Sequence, residues 1–457
     1  MRTLVALAAT TIAWLAAARV ARAETIADIV VQDNTKTTSD TVEFIAQIER
    51  GDDWRPEMSG EINKRLVSSG LFKDVQVYWE EDKDGSGVDV HLLVKDKFSW
   101  VIAPAFYDEP TNTGGGVGYG ENNLFGANQK LLLYGQIATG DSFFVGAYQV
   151  PSIRSSRFDI QLDTYLADIR NFEYAAPTKY IQNPTQVRES RLIYLNGGVK
   201  FGFRLIRGVT IDTRFRGAKV RYDSPSLVEG ATLEDVNGAG STSTTVLKPG
   251  IEGWDVSNEW DLTVDRRANW YGLSTGYRVQ LQFERDIDAL SDFHYYETQL
   301  FLYRAYKVMD RHNLVLKGEV QAGHHLPFQQ EYTMGGSSMR GWLNNQFRGD
   351  FHVGATAEYS VPLFTISDLS VRGLGFWDSG YMTFLSCGDC APGDSSNSER
   401  NYLPNSAARG LAPFKNTVGV GTRLFLRSIV IPLLGLDVGY GLEARDIQVY
   451  LAIGLTD

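Results

Sequence analysis

The stretch Arg157-Phe158-Asp159-Ile160-Gln161-Leu162-Asp163-Thr164-Tyr165-Leu166 puts Phe158, Ile160, Leu162 and Leu166 on one side of an extended chain and Arg157, Asp159, Gln161 and Asp163 on the other, because successive side chains of a strand point to opposite faces. Leu273 to Glu284 repeats the pattern, with Leu273, Tyr277, Val279, Leu281 and Phe283 opposed to Arg278, Gln280, Gln282 and Glu284. From Phe98 onward the chain is a succession of such stretches, roughly 10 to 15 residues each, punctuated by Gly, Asn, Asp and Pro, which is the signature of transmembrane strands. A sheet with one apolar and one polar face satisfies a bilayer only as a closed cylinder, apolar toward lipid and polar within, because an open edge would leave unpaired backbone groups in hydrocarbon. Alternation alone also fits a soluble sandwich or propeller, so the connections must decide.

Strands are expected to begin near residues 98, 113, 128, 142, 157, 188, 208, 252, 271, 292, 312, 350, 369, 414, 431 and 446. That makes about sixteen, an even number as single-chain bacterial barrels prefer. Barrels of this kind have short periplasmic turns and long outer loops. The long connections, near 169–187, 223–251, 325–349 and 382–413, all follow odd-numbered strands, whereas Pro151 to Ser156 and Asp265 to Asn269 are short turns after even ones. The expected architecture is therefore residues 98–457 as a 16-stranded antiparallel transmembrane β-barrel, preceded by a small domain on the periplasmic side.

The N-terminus fits export. Arg2 precedes an apolar run from Leu4 to Ala18, which closes on Ala21-Arg22-Ala23, so residues 1–23 read as a signal peptide. No apolar run reaches the roughly 18 residues of a spanning helix, which leaves strands to cross the membrane. A net charge of −11 argues against nucleic acid as a partner. Cys387 and Cys390 lie in a polar stretch and form a possible disulfide in an oxidising compartment. No βαβ pattern surrounds them to support redox chemistry, and no further Cys exists to complete a zinc site.

Residues 24–97 read as an α+β domain in the order β-α-α-β-β. A strand at Ile26 to Val31 precedes a helix capped near Ser39 and carrying Val42, Ile45, Ala46 and Ile48. A second helix from about Pro56 carries Ile62, Leu66 and Val67 and is stopped by Gly70. Val75, Val77 and Trp79 then alternate into a turn at Asp82-Lys83-Asp84-Gly85, which returns to Val88, Val90, Leu92 and Val94; that turn lacks the Glu a calcium loop requires. The arrangement, with its phrase Ser69-Gly70-Leu71-Phe72-Lys73-Asp74-Val75, resembles a POTRA domain, the polypeptide-transport-associated module. The resemblance implies an exposed strand edge that pairs with extended client segments.

The third long loop contains Gly335-Gly336-Ser337-Ser338-Met339-Arg340-Gly341-Trp342, in which glycines allow a tight reversal, Arg340 supplies a forked donor and Trp342 a large apolar surface that is costly to expose. This string resembles the Arg-Gly-aromatic motif of loop six in the BamA/TamA superfamily of outer-membrane assembly factors, also called bacterial surface antigens. There, as here, it lies between strands eleven and twelve of sixteen. Ala357-Glu358-Tyr359-Ser360-Val361-Pro362 is similar to that family's strand-twelve carboxylate motif, Phe376-Trp377-Asp378-Ser379-Gly380 to its strand-thirteen aromatic-Asp-x-Gly motif, and Asn123-Leu124-Phe125-Gly126 to its first periplasmic turn.

Parity tests whether these residues can meet. Val353, Ala355, Ala357, Tyr359 and Val361 read as lipid-facing, as do Leu369, Val371 and Trp377, so Glu358 and Asp378 point into the lumen. An infolded loop would bring Arg340 to one or both carboxylates and lock itself in place. The resemblance implies an insertase, whose clients are unfolded outer-membrane or secreted polypeptides added at a weak seam between first and last strands in the outer membrane, aided by accessory periplasmic proteins. Pro104, which cannot donate to a ladder, marks strand one as a poorly paired edge. The alternatives are a polypeptide-translocating pore of two-partner-secretion type and a passive surface or channel protein. Two departures from the family stand out: a single POTRA-like domain, and a C-terminus, Gly454-Leu455-Thr456-Asp457, without the usual terminal aromatic. Gly114 to Gly120 opens a strand with no helix behind it, which disfavours a phosphate cradle, and His324-His325 has no third ligand. Neither a cofactor, a metal site nor enzymatic chemistry is expected.

Overall fold

In a computed structural model, the structure describes residues 24–453 apart from 84, 86, 152, 154–156, 175–185, 207, 238–240, 271–272, 310, 367–368, 386–413 and 427–431. The expected signal peptide, Cys387, Cys390 and the last four residues lie outside the described residues.

The chain divides into two compact units, one comprising residues to Trp100 with Glu121–Gln129, the other Val101–Gly120 with Lys130 onward. In the first, a four-stranded sheet runs in the order Asp53–Trp54, Glu24–Gln32, Val88–Asp96, Phe72–Glu81. Helices Ser39–Ala46 and Met58–Ser68 place Val42, Ala46, Ile62 and Leu66 against Ile26, Ile29, Val90 and Leu92, all buried. Two details correct the sequence reading. The first helix is capped by Thr38, whose hydroxyl accepts from the Thr41 N–H, rather than by Ser39. The two-residue strand Asp53–Trp54 is too short to leave a period in the sequence. Asp96 gathers the Thr35–Thr37 turn: burial pushes its carboxyl up, but the Thr37 hydroxyl and the backbone N–H groups of Lys36, Thr35 and Thr37 outweigh that and hold it below the usual carboxylate range. Within the same unit Lys36 Nζ meets Glu121 at 2.8 Å and Asn123 Nδ2 donates to the Thr37 hydroxyl at 2.7 Å.

The strands that follow residue 99 close into an antiparallel barrel, most of which is the second unit. Its sixteen strands, counted from one, are Trp100–Glu109, Asn112–Leu124, Gln129–Ala138, Asp141–Val150, Phe158–Tyr174, Gln186–Ile206, Val209–Leu227, Gly253–Asp265, Leu273–Asp286, Tyr296–Lys307, Asn313–His324, Phe351–Ile366, Leu369–Thr383, Lys415–Leu426, Pro432–Gly441 and Asp446–Ile453. Alternation sorts them as expected: Phe158, Leu162, Leu166, Tyr277, Leu281, Phe283 and Trp377 are exposed on the outer skin. Asp255, Glu284, Asp378, Thr417 and Asp437 are buried within. The inversion follows from the solvents, since lipid takes the apolar face and a lumen of paired polar groups takes the other.

Two connections differ from the reading. Strands five to seven are 17, 21 and 19 residues long and run on through 169–174 and 186–187 of the connection expected at 169–187 and through the start of the one expected at 223–251. The turn at Asp265 to Asn269 ends in a three-residue strand, Ala268–Trp270, that folds back on strand nine.

Candidate functional site

Loop six, between strands eleven and twelve, is folded rather than open. Short strands Tyr332–Met334 and Phe347–Gly349 pair antiparallel, and Arg348 Nε donates to Glu331 Oε2 at 3.0 Å while its guanidinium covers the Phe328 ring at 3.7 Å. Gly335 (φ +128°) and Gly336 (φ +66°) make the reversal that follows, in a backbone region that side chains disfavour.

The tip of the loop holds Arg340, a buried residue. It forks onto Asp378, with Nε to Oδ2 and Nη2 to Oδ1 both at 2.9 Å, while Nη1 meets Glu358 at 2.8 Å. Both carboxylates anticipated from strand parity are therefore engaged at once. A third, Asp437 on strand fifteen, accepts from Nη1 at 3.2 Å and was not anticipated. It is shared with Arg423 on strand fourteen, which forks onto it at 2.6 and 2.9 Å. The alternation of Leu434, Leu436, Val438 and Tyr440 does point Asp437 inward, but no motif surrounds it. Phe376 lies under the guanidinium, 3.5 Å from its centroid. Burial alone would lower the Arg340 pKa; the hydrogen bonds and charge of Asp378, with Glu358 and Asp437, outweigh it and hold the pKa above the ordinary arginine value.

Gly341 and Trp342 lay the loop's backbone against the wall of the last strands. The Tyr450 hydroxyl on strand sixteen accepts from the Gly341 N–H at 2.9 Å and donates to the Trp342 carbonyl at 2.7 Å. The Trp342 indole N–H donates to Thr417 Oγ1 at 3.1 Å, and its ring packs edge-on against Phe347. Three glycines make this contact possible. A Cβ on Gly341 (φ +93°) would stand 2.8 Å from the Gly441 nitrogen, and one on Gly439 2.8 Å from the Gly341 nitrogen. Gly341→Ala should therefore cost about 1–3 kcal/mol, read as a lower temperature for the heat-modifiable gel shift; an unchanged temperature would mean that the loop is not seated this way in the membrane. Gly380 on strand thirteen leaves room for Met334 in the same manner.

A second anchor, which the sequence reading missed, holds the start of the loop to strands seven to nine. Gln330 Nε2 donates to Asp255 Oδ2 at 2.9 Å and the Tyr222 hydroxyl to Gln329 Oε1 at 2.9 Å. Asp255 in turn belongs to a buried cluster in which Arg216 Nη2 meets Asp255 at 3.2 Å and Glu284 at 2.5 Å. Loop six is thus a crossbar, held to one wall by neutral amides and to the other by Arg340.

Pro104 sits in strand one, and Asn123–Gly126 forms a turn with Phe125 and Gly126 at positive φ. His324 and His325 stack on each other at the end of strand eleven. Asp286, Asp288 and His294 could share a cation, but the first accepts from the Tyr295 N–H and the second pairs with Arg285.

Residues 123–446 match the Omp85 superfamily domain. No curated protein matches the sequence. Among solved structures, BamA from Haemophilus ducreyi lacking POTRA domains 1–3 superposes with a TM-score of 0.63 at 15% identity, over 95% of this chain and 85% of that one. CdiB from Acinetobacter baumannii gives 0.63 at 14% identity, over 94% and 74%, and CdiB from Escherichia coli 0.51 at 11%, over 96% and 92%. These likenesses are of fold, and the family match covers most of the chain. With its closed sixteen-stranded barrel and that match, the chain is an outer-membrane protein belonging to the Omp85 superfamily.

Proposed function

We propose that the chain assembles outer-membrane proteins, capturing unfolded clients on a periplasmic POTRA-like domain and adding their strands at the barrel's seam. The observation that carries this reading is the seam itself. Among the described residues, strands one and sixteen meet through three residue pairs, Phe106–Ile453, Tyr107–Ala452 and Asp108–Leu451. Strands fifteen and sixteen pair through eight and strands seven and eight through twelve. Pro104, which has no N–H to give, lies two residues beyond the last of the three pairs. Loop six touches both sides of the seam, through Tyr450 on strand sixteen and through Asn344, which donates to Glu109 on strand one.

The driving force needs no chemistry. A client strand in hydrocarbon gains each backbone hydrogen bond it makes at the seam, and release follows when its own barrel closes. In the N-terminal unit, Phe72–Glu81 is an edge strand with one flank free in the sheet order, which suits β-augmentation by an extended segment. Outer-membrane lipid and accessory periplasmic proteins would be the other partners.

A second reading, polypeptide translocation, is favoured by the cavity of about 980 Å³ below loop six. It requires both ends of the crossbar to let go. Reconstitution in lipid with photocrosslinkers along the barrel separates the readings. Assembly predicts that a nascent barrel client crosslinks at Trp100–Glu109 and Asp446–Ile453. Crosslinks confined to the lumen, together with a large conductance on loop-six deletion, would favour translocation, and neither result would leave a passive barrel.

A further inference from the structure

Arg372 on strand thirteen is only 4% exposed, yet it meets no carboxylate among the described residues. Its Nη2 donates to the Arg311 carbonyl at 2.8 Å and to the Ser360 hydroxyl at 2.9 Å and carbonyl at 3.3 Å. Its Nε and Nη1 have no partner among the described residues. A guanidinium cannot shed its charge, and burying one without a counterion is costly. Its cross-strand partner, in register, is Arg423. Their guanidiniums turn apart, Arg372 toward Ser360 on strand twelve and Arg423 toward Asp437 on strand fifteen. Asp437, which Arg423 forks, is shared with Arg340 and makes no bond to Arg372 among the described residues.

Both arginines line the lumen cavity. Their register row leads to the seam: Arg423 pairs with Gly435, Gly435 with Ala452, and Ala452 with Tyr107 on strand one. The Arg423 side chain leans along that row, since a Cβ on Gly435 would stand 3.4 Å from its Nη1.

We propose that Arg372 is an anion site that takes a carboxylate of an extended polypeptide lying on the inner wall, three strands in from the seam. Nε and Nη1 face different edges of the guanidinium, so each can donate one charge-assisted hydrogen bond to a carboxylate oxygen. The site opens to the lumen and faces away from lipid, which favours a polypeptide over a lipid headgroup. A bound carboxylate would supply the counterion that Arg372 lacks and hold a polypeptide against the lumen wall. This inference rests on the polypeptide-handling reading above.

The test titrates the purified full chain in detergent with a fluorescent alternating peptide of about ten residues, free of Asp and Glu, made once with a C-terminal carboxylate and once as the amide. The carboxylate form should bind about tenfold tighter. Arg372→Gln should erase that difference while the heat-modifiable gel shift persists, and Arg372→Lys should restore part of it. Equal binding of the two peptides to the unsubstituted chain would overturn the site and leave the assembly reading standing. Binding of neither would overturn both. Displacement of the carboxylate peptide by millimolar inorganic phosphate, with equal strength in Arg372→Gln, would also overturn the assignment, because competition would then not run through this guanidinium. If Arg372→Gln fails to fold, the peptide comparison on the unsubstituted chain and on Arg372→Lys decides.

Discussion

Replacing Arg340 by alanine should free the tip of loop six and make it about a hundredfold more sensitive to protease. The residue neutralises Asp378 through two bonds at 2.9 Å and Glu358 through one at 2.8 Å, and it shares Asp437 with Arg423. Without it, three inward carboxylates are left with one guanidinium, and removing one partner from a buried ion pair costs about 3–5 kcal/mol. At about 1.4 kcal/mol per decade, that raises the open population by at least two orders of magnitude. Arg340→Lys keeps the charge but loses the fork and the stacking on Phe376, so it should fall between. A double-mutant cycle with Asp378→Asn should give a coupling of about 2 kcal/mol or more. Protease sensitivity and gel mobility indistinguishable from the unsubstituted protein would mean that this lock is an ordinary lumen ion pair. Because Gln330 and Tyr222 hold the far end independently, the variant should loosen the tip and leave residues near Phe328 protected.

The lock was partly legible in the sequence, and physics explains which part. Glu358 and Asp378 were readable because their neighbours in the same strands, Tyr359 and Trp377, declare the lipid face, which fixes the parity of everything between. Asp437, Arg423 and Arg216 obey the same parity, but a single charged residue on a lumen face names no partner: Asp437 meets Arg423 from the adjacent strand and Arg340 from 97 residues away, and Arg216 meets Glu284 from 68 residues away. Strand ends followed the same logic. Within the bilayer the two faces of a strand meet different solvents and the alternation is sharp, so all sixteen starts were placed within a few residues. Beyond it, as at Ile169 to Tyr174, both faces meet water or loops, the contrast fades, and continuing strand reads as loop. In the N-terminal unit, adjacent Thr38 and Ser39 both carry capping hydroxyls, so composition alone could not choose between them.

Tying the seam shut should abolish client assembly altogether. The ladder across it holds three residue pairs among the described residues. Each backbone hydrogen bond is worth about 1 kcal/mol net in water and more in lipid, where no solvent competes. The three described pairs can therefore part on a cost of several kcal/mol, which on the proposed assembly reading a client strand offsets by pairing in turn; the twelve-pair ladder between strands seven and eight costs far more to open. Loop six adds the Tyr450 and Asn344 bonds to either side, so releasing its tip and parting the seam should be coupled. Arg340→Ala should accordingly increase client crosslinking at strand one before assembly is lost.

The most direct measurement places cysteines at Tyr107 and Ala452, which face each other across the seam at a separation that antiparallel pairing makes compatible with a disulfide. Client assembly into lipid vesicles would be followed before and after reduction, beside a control bond between Val438 and Val449 on strands fifteen and sixteen. The seam disulfide should stop assembly, reductant should restore it, and the control bond should change nothing. Full assembly with Tyr107→Cys and Ala452→Cys quantitatively oxidised would contradict an opening seam.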